Sequence, residues 1–289
     1  MLKGKKMKFP LILVVCFCGF IFSCTPEQIQ PGNKVRATVD LPPEPDTCTC
    51  VQLGSVAPMV LIKSGKYIPM YGRDSVEIEI KDFMMDVYPV TNEQFLAFVK
   101  SNPEWRKSKV KKLFCDDNYL RSWKNDTTLS DIQSPGSPAT NISWYAAKAF
   151  ADCQGKRLPT IDEWEYVAMA DEKQTDARKS ESYTQYIMNW YEKSNTFTNE
   201  TGSTYKNYWG VYDMHGLVWE WTSDFNSVLI GNDSREDKSS GNNLFCGGAS
   251  LDASDLRNYA AFMRYAFRGS LKASYSVQNL GFRCAKDIQ

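Results

Sequence analysis

Three marked helix starts in the middle of the chain constrain its fold more than any other feature. Thr91 stands three residues before Gln94, and Thr160 stands three residues before Glu163. This spacing is typical of a capping box, in which the two side chains satisfy the first free backbone amides of a helix. Ser143 precedes a third pattern, with apolar residues at three- and four-residue spacing. The sequence therefore predicts helices that begin at these three positions.

Strand-like segments precede these helices, and irregular stretches separate and follow them. Residues 59–62 are apolar, and Val76, Ile78 and Ile80 alternate with polar residues, which favours strands. Between and after the helices the chain is rich in Asn, Ser, Gly and Tyr. Loops must therefore carry much of the fold. The chain after residue 55 is long enough to form one sizeable core.

The amino-terminal residues have the pattern of a secretory signal peptide. A lysine-rich stretch is followed by an apolar run at residues 9–22. This run is shorter than the roughly 20 residues that a membrane-spanning helix needs. Residues 21–24 resemble a bacterial lipobox, so we expect Cys24 to carry a lipid. A signal peptide that is cleaved elsewhere is the alternative.

The chain is therefore expected to have three parts. Residues 1–23 form the leader. Residues 24–55 contain five prolines among polar residues and predict an extended tether. Residues 56–289 form one domain. A lipid anchor would hold this domain at the cell envelope, with the outer membrane as the expected location.

Charge and histidine content exclude several classes of function. Lysine plus arginine and aspartate plus glutamate number 34 each, so no field attracts nucleic acid, and none is expected as a partner. The single histidine, His215, excludes a zinc site of several histidines and an iron site of two histidines and a carboxylate. It does not by itself exclude a Ser-His-Asp hydrolase.

Nine cysteines in an exported chain favour disulfides. Three of them lie in the leader or at the lipobox. The other six are Cys48, Cys50, Cys115, Cys153, Cys246 and Cys284. Fifteen connectivities are possible if all six pair. Spacing alone leaves the partners of Cys48, Cys50, Cys115 and Cys246 open.

Several motifs occur in a fixed order along the domain. They are Pro89-Val90-Thr91-Asn92, Gly155-Lys156-Arg157-Leu158-Pro159-Thr160 with Glu163-Trp164-Glu165-Tyr166, Asp213-Met214-His215-Gly216-Leu217-Val218-Trp219-Glu220-Trp221, Gly247-Gly248 and Gly281-Phe282-Arg283-Cys284. Together they resemble the formylglycine-generating enzyme (sulfatase-modifying factor) family, from about residue 59 to residue 287. The resemblance implies an α+β fold related to the C-type lectin fold, with little regular secondary structure.

The resemblance also implies a disulfide. In the family, one disulfide joins the cysteine before the Gly-Lys-Arg-Leu-Pro-Thr motif to the cysteine that ends Gly-Phe-Arg-Cys. Here these positions are Cys153 and Cys284. The alternative for Cys153 is a buried small hydrophobic side chain.

A calcium site is a further implication of the resemblance. Asp213 and Glu220 would supply side-chain oxygens, and Gly216 and Val218 would supply backbone oxygens, which are the ligands a hard cation prefers. The alternative is that the neighbouring tryptophans belong to the core and that Glu220 only pairs with an arginine.

One departure from the family concerns catalysis. Active members oxidise a substrate cysteine to formylglycine with a pair of reactive cysteines that hold copper(I). Here the first of these positions falls on Asp252 and the second near Arg257, and no cysteine lies between Gly247 and Phe282. One thiolate at Cys246 cannot supply a two-coordinate site. Copper is therefore not expected, and neither is catalysis of this kind.

The segment after these glycines interleaves arginine with aromatic residues, a composition enriched at binding hot spots. The candidate ligand surface consists of Asp252, Arg257, Tyr259, Arg264, Tyr265 and Arg268. The alternative is that half of the arginine and aromatic side chains in this segment belong to the core.

The sequence supports three hypotheses about function. The first is an envelope lipoprotein whose non-catalytic domain binds a protein or a glycan, similar to lipoproteins of the gliding-motility and type IX secretion machinery of Bacteroidetes. The second is an enzyme that modifies periplasmic proteins, by formylglycine-generating chemistry or by another route. The third is a calcium-dependent or hypervariable ligand binder with a C-type-lectin-like fold.

Overall fold

The computed structural model describes residues 57–70, 76–227 and 256–288. Several predictions fall outside these residues, namely those for the leader, Cys24, the tether, Asp252 and the side chain of Arg257. Within the three described ranges, no helix is long and apolar enough to cross a membrane.

The described elements are short and are joined by long loops. The strands are β1 (Met59–Ile62), β2 (Gly65–Tyr67), β3 (Ile78–Ile80), β4 (Phe83–Asp86), β5 (Trp123–Asn125), β6 (Thr128–Leu129), β7 (Trp219–Glu220), β8 (Leu280–Gly281) and β9 (Ala285–Asp287). The α-helices are α1 (Asn92–Ser101), α2 (Trp144–Cys153), α3 (Ile161–Ala168), α4 (Glu181–Tyr191) and α5 (Leu256–Ser270). This mixture of separate strands and helices confirms the α+β fold and its loop-rich character.

The central strand of the largest described sheet is β4. It pairs antiparallel with β1 on one side and with β9 on the other, so the last strand lies near the first. Phe83 and Met85 of β4 are buried in a cluster that includes Trp164 of α3. Strands β7 and β8 form a separate parallel pair that places Trp219 opposite Leu280. The β7–β8 pair supports the candidate site described below.

All three predicted helix starts are confirmed. The Thr91 hydroxyl accepts a hydrogen bond from the Gln94 amide at 3.3 Å, and the Gln94 side chain accepts one from the Thr91 amide at 2.9 Å. Thr160 and Glu163 make the same reciprocal pair at 3.1 and 2.8 Å. Ser143 caps α2 with its side chain. Each start depends on residues within three positions of it, which is why the sequence alone predicts it.

Helices α4 and α5 lie in stretches that the sequence predicts to be irregular. Ser180 caps α4, and Tyr183, Ile187 and Trp190 are buried along one side of it. Their spacing of four and three residues is an amphipathic signal that predicts a helix once Ser180 is read as a cap. The buried side of α5 includes two arginines, so apolar periodicity does not reveal that helix.

Candidate functional site

The described cysteines do not form the disulfide that the resemblance implies. Cys153 is disulfide-bonded, whereas Cys284 and Cys115 carry free, buried thiols. The expected bond between Cys153 and Cys284 is therefore wrong in this structure, because Cys284 carries a free thiol. Burial raises the pKa of both free thiols. A thiol that stays protonated is a poor nucleophile and a poor metal ligand.

A buried double ion pair attaches α5 to α3. Glu165 Oε2 lies 2.7 Å from Arg264 Nη2, and Glu165 Oε1 lies 2.6 Å from Arg268 Nη1. All three side chains are less than a tenth exposed. Burial alone would raise the pKa of Glu165, but the two guanidinium groups outweigh it and hold the pKa at about 2. The carboxylate therefore stays ionised and fixes α5 in place.

These pairs correct the predicted ligand surface. Arg264, Tyr265 and Arg268 are 7, 7 and 4% exposed, so they belong to the interior. Tyr259 is exposed, at 39%. Both arginines turn inward because Glu165, on the neighbouring helix, is buried and needs compensating positive charge. The structure supports the alternative in which these residues form part of the core.

A second buried pair joins Glu220 of β7 to Arg283. Both side chains are fully buried. Glu220 Oε1 accepts hydrogen bonds from Arg283 Nη2 at 2.8 Å and Nε at 3.1 Å. Its Oε2 accepts one from the same Nε and one from the Trp164 indole, each at 2.8 Å. The guanidinium also donates to three backbone carbonyls. Each charged group in this pair is thus fully engaged by protein partners.

The Asp213 carboxylate accepts hydrogen bonds from a neighbouring loop and is not free to share a calcium ion with Glu220. Asp213 is fully buried and has a φ of 60°, a left-handed conformation that aspartate adopts more readily than most residues. One carboxylate oxygen accepts a hydrogen bond from the Gly202 amide. The other accepts from the amide and the hydroxyl of Thr204, at 3.0 and 2.9 Å. The carboxylate therefore serves the loop geometry.

These contacts do not fit a calcium ion held by Asp213, Gly216, Val218 and Glu220. Protein donors engage every carboxylate oxygen of Asp213 and Glu220, and the Arg283 guanidinium would repel a cation beside Glu220. Across the ranges that the structure describes, no group of three or more His, Cys, Asp or Glu side chains could hold a metal ion. The two carboxylates support the scaffold.

His215 is enclosed by the aromatic rings of Trp164, Tyr183 and Trp190. Its Nε2 lies 3.1 Å from the Ala168 carbonyl and 3.1 Å from the Tyr183 hydroxyl. Burial lowers the pKa of His215 to about 3, so the imidazole is neutral at physiological pH. A fully buried neutral imidazole is a structural group and is not placed to exchange protons with a substrate.

A groove of about 320 Å³ opens where α4 ends beside β7. Its walls include Trp190, Tyr191 and Trp219, with Met263 of α5 on one side. Five exposed residues form its rim, namely Lys193, Ser194, Asn195, Gln278 and Asn279. Among the described residues that line it, Lys193 carries the only charge. The groove therefore combines an aromatic wall with a rim of hydrogen-bonding groups.

Trp219 is held inside the wall of this groove by three other rings. Tyr191 stacks on it with ring centroids 5.2 Å apart and an interplanar angle of 22°. Trp190 lies at 5.2 Å and 39°, and Phe267 of α5 lies at 4.7 Å and 31°. The backbone amide of Trp219 donates to the Asn279 carbonyl at 2.9 Å, which joins the backbone of β7 to the segment at the rim. The aromatic wall is thus preorganised by contacts from α4, β7 and α5.

The groove is not predicted from the sequence, because α4 is not predicted and Trp219 is considered only as a neighbour of the expected calcium site or, alternatively, as part of the core. The residues that form it lie far apart along the chain, between Trp190 and Asn279. The spacing of Tyr183, Ile187 and Trp190 is the signal that would have predicted the aromatic end of α4.

Comparison with known proteins identifies the family. The model for the sulfatase-modifying factor enzyme 1-like domain (FGE-sulfatase) matches residues 47–288. The chain belongs to this family. The formylglycine-generating enzyme of Streptomyces coelicolor is 30% identical to this FGE-sulfatase chain over 266 residues, and the match covers 77% of this chain and 84% of that enzyme.

Other relatives of this FGE-sulfatase chain differ in what their names describe. Inactive C-alpha-formylglycine-generating enzyme 2 of Bos taurus is 25% identical, over 72% of this chain and 78% of that protein. Serine/threonine-protein kinase pkn1 of Chlamydia caviae is 29% identical over 58% of this chain. The chain spans 28 to 38% of the length of the chlamydial kinases that it matches. Among solved structures, PvdO from Pseudomonas aeruginosa is 19% identical with a TM-score of 0.44, over 80% of this chain and 94% of that one.

Proposed function

We propose that this member of the FGE-sulfatase family is a non-catalytic binding module. One observation carries the proposal: residues 247–282 contain no cysteine. The family chemistry that the resemblance implies needs two thiolates for copper(I) in this segment. Cys115 and Cys284 do not replace them, since both are buried and burial raises the pKa of each. The bovine relative that is named inactive supports the view that this domain also exists without the activity.

The buried ionisable side chains Glu165, His215 and Glu220, which lie in the family motifs, also favour a structural role over catalysis. Glu165 is kept ionised by two arginines, and Glu220 is fully engaged by Arg283 and the Trp164 indole. A general acid or base needs a free position facing a substrate and a pKa near the working pH. Neither carboxylate meets the first condition, and the buried, neutral His215 does not either.

The groove beside Trp219 is the site that we propose for binding. Its volume of about 320 Å³ lies at the small end of the range for ligand pockets, which is roughly 300–1,000 Å³. Aromatic side chains with a few polar groups at the rim are the usual composition of such sites. Because three rings hold Trp219 in place, little conformational entropy is lost when a partner binds.

We also propose that the protein is located at the cell envelope. The leader pattern in residues 1–23 and Cys24 support a lipid-anchored protein of the cell envelope, held at the outer membrane. A proline-rich tether would let the domain reach a partner at some distance from the membrane surface. In this setting the domain would act as a binding or structural part of an envelope assembly, similar to those of gliding motility and type IX secretion.

An oxidation assay tests the absence of catalysis. The purified chain is incubated with copper(I), oxygen, dithiothreitol as the reductant and a peptide that contains Cys-x-Pro-x-Arg, with the Streptomyces coelicolor enzyme as the positive control. Mass spectrometry then follows conversion of the cysteine to formylglycine. We expect conversion by the control enzyme and none by this chain above the level of copper alone. Catalytic conversion would reject the proposal.

Metabolic labelling tests the location. Cells that express the full chain are fed an alkyne-tagged fatty acid, and the membrane fraction is examined for labelled protein. We expect label and membrane association in the wild type, with both lost in Cys24→Ser. A second variant, Cys16→Ser, serves as the matched control and should keep the label. Equal labelling of Cys24→Ser and the wild type would contradict the predicted anchor.

A further inference from the structure

We infer that the groove binds an extended protein segment that presents apolar side chains next to a carboxylate. This inference rests on the proposed function and names the chemistry of the partner. It depends on three properties of the described residues, namely the orientation of α5, the crowding around Trp219 and the charge of the rim.

The first property is the orientation of α5, which turns its arginines toward the interior and apolar side chains toward the solvent. Arg264 and Arg268 point into the domain toward Glu165. The opposite side presents Tyr259, which is exposed, and Met263, which is half-buried and lines the groove. A helix at the surface of a domain normally places its charges toward water. The exposed apolar side of α5, with Tyr259 and Met263, therefore favours contact with a protein partner.

The second property is the crowding around Trp219, which disfavours a sugar. A sugar ring binds to tryptophan through a free aromatic face. Here Tyr191, Trp190 and Phe267 lie within 5.2 Å of the Trp219 ring, at interplanar angles below 40°. These rings occupy the faces, so the groove offers ring edges and the Met263 side chain. Edges and a thioether suit aliphatic or proline side chains, which need no large planar surface.

The third property is the charge of the rim. Lys193 is exposed, and the described lining contains no carboxylate. An arginine or lysine of a bound segment would find no counter-charge there, whereas an aspartate or glutamate would find the ammonium of Lys193. The amides of Asn195, Gln278 and Asn279 can donate to and accept from the backbone of an extended chain. The rim therefore selects acidic segments over basic ones.

Selection from a random peptide library tests this inference. The full mature chain is immobilised and a phage-displayed library is enriched on it. We expect the enriched peptides to combine two or more apolar side chains with a net negative charge. Lys193→Glu should weaken binding of these peptides roughly two- to five-fold, the effect of one exposed ion pair, and should shift a new selection toward basic peptides. Lys206→Glu, an exposed lysine outside the groove, is the matched control and should leave both unchanged.

Two further variants test the apolar wall. Met263→Ser and Trp219→Leu should weaken the selected peptides more than ten-fold, and circular dichroism checks that each variant is folded. Enrichment of basic peptides, an equal effect of the two lysine variants, or glycan binding without peptide binding would overturn the inference. None of these results alters the oxidation assay, so the inference can fail while the non-catalytic role stands.

Discussion

The two buried arginine–carboxylate clusters on either side of Trp164 differ in what they hold together. Glu220 of β7 takes one arginine, Arg283, which lies between β8 and β9, and both side chains are fully buried. Glu165 takes two arginines, both from α5. The first cluster closes the core, whereas the second attaches one helix to it. Loss of the first should therefore affect the whole domain, and loss of the second should affect α5 first.

The same comparison separates scaffold from binding surface. In both clusters the charged groups pair with each other inside the domain. The Trp164 ring contacts both clusters: its centroid lies 4.8 Å from the Arg268 guanidinium, and its indole N–H donates to Glu220. The groove has the opposite character, with one charged residue and an aromatic wall in its described lining. The arginines of α5 and the carboxylates of the family motifs therefore stabilise the fold. The proposed binding surface is formed instead by the aromatic and uncharged polar residues that line the groove.

The largest expected effect is that of Glu165→Gln, which leaves two buried guanidinium groups without a counter-charge. Removing one partner of a buried pair costs roughly 3–5 kcal/mol, and two unpaired arginines place this variant at the upper end. Chemical denaturation measures the loss of stability. Hydrogen exchange should show the greatest loss of protection at the α5 amides. Protection lost evenly over the domain would contradict the assignment of this cluster to α5.

Glu220→Gln should cost somewhat less, about 3 kcal/mol, because Arg283 keeps its three backbone carbonyl partners. Here hydrogen exchange should show protection lost across the core. Glu77→Gln breaks an exposed pair with Lys66 and is the control for charge removal, with no measurable change expected. A larger loss for Glu220→Gln than for Glu165→Gln would reverse the ranking of the two clusters.

Acidification should weaken the domain through His215 before it affects Glu165. The folded-state pKa of His215 is about 3, below the ordinary value near 6.5, so the unfolded chain takes up a proton that the folded chain excludes. The contribution of neutral His215 to the free energy of unfolding is fully present above about pH 6.5. Below that pH it should fall by about 1.4 kcal/mol per pH unit. The stability that Glu165 contributes is fully present above about pH 4.5 and is lost only as the pH falls from there toward its folded-state pKa of about 2. Urea unfolding between pH 7.5 and 5.5 should show this slope in the wild type.

His215→Gln is the matched variant for this pH effect, since its amide can donate to the Ala168 carbonyl and does not titrate. It should be less stable at pH 7.5 but nearly independent of pH down to about 5.5. Parallel pH curves for the wild type and His215→Gln would assign the acid sensitivity to another group.

The smallest expected effect is that of calcium removal. Glu220 and Asp213 are engaged by protein donors, so a chelator should leave Tm unchanged, and added calcium should not raise it. Differential scanning calorimetry in EDTA and in excess calcium measures this. A calcium-dependent rise in Tm would mean that Arg283 gives way to the ion and that the Glu220 cluster is a metal site.

Sequence reasoning succeeds in this chain where structure depends on near neighbours. The capping pairs at Thr91 and Thr160 act over three residues, and the family motifs predict the α+β fold. It is wrong where partners are distant, as for Glu165 and Arg264, which are 99 residues apart. Arginines are interpreted as surface residues because they are rarely buried without a partner, and that partner is visible only in the folded structure.

Site-directed photocrosslinking in intact cells tests the central distinction between scaffold and groove most directly. A benzophenone amino acid is placed at Gln278, an exposed residue of the groove, and at Ile132, which is 68% exposed and does not line it. We predict a crosslinked adduct from Gln278 that disappears when Trp219→Leu is added, and none from Ile132. An adduct from Ile132 alone, or equal adducts from both positions regardless of Trp219, would contradict the assignment of binding to the groove.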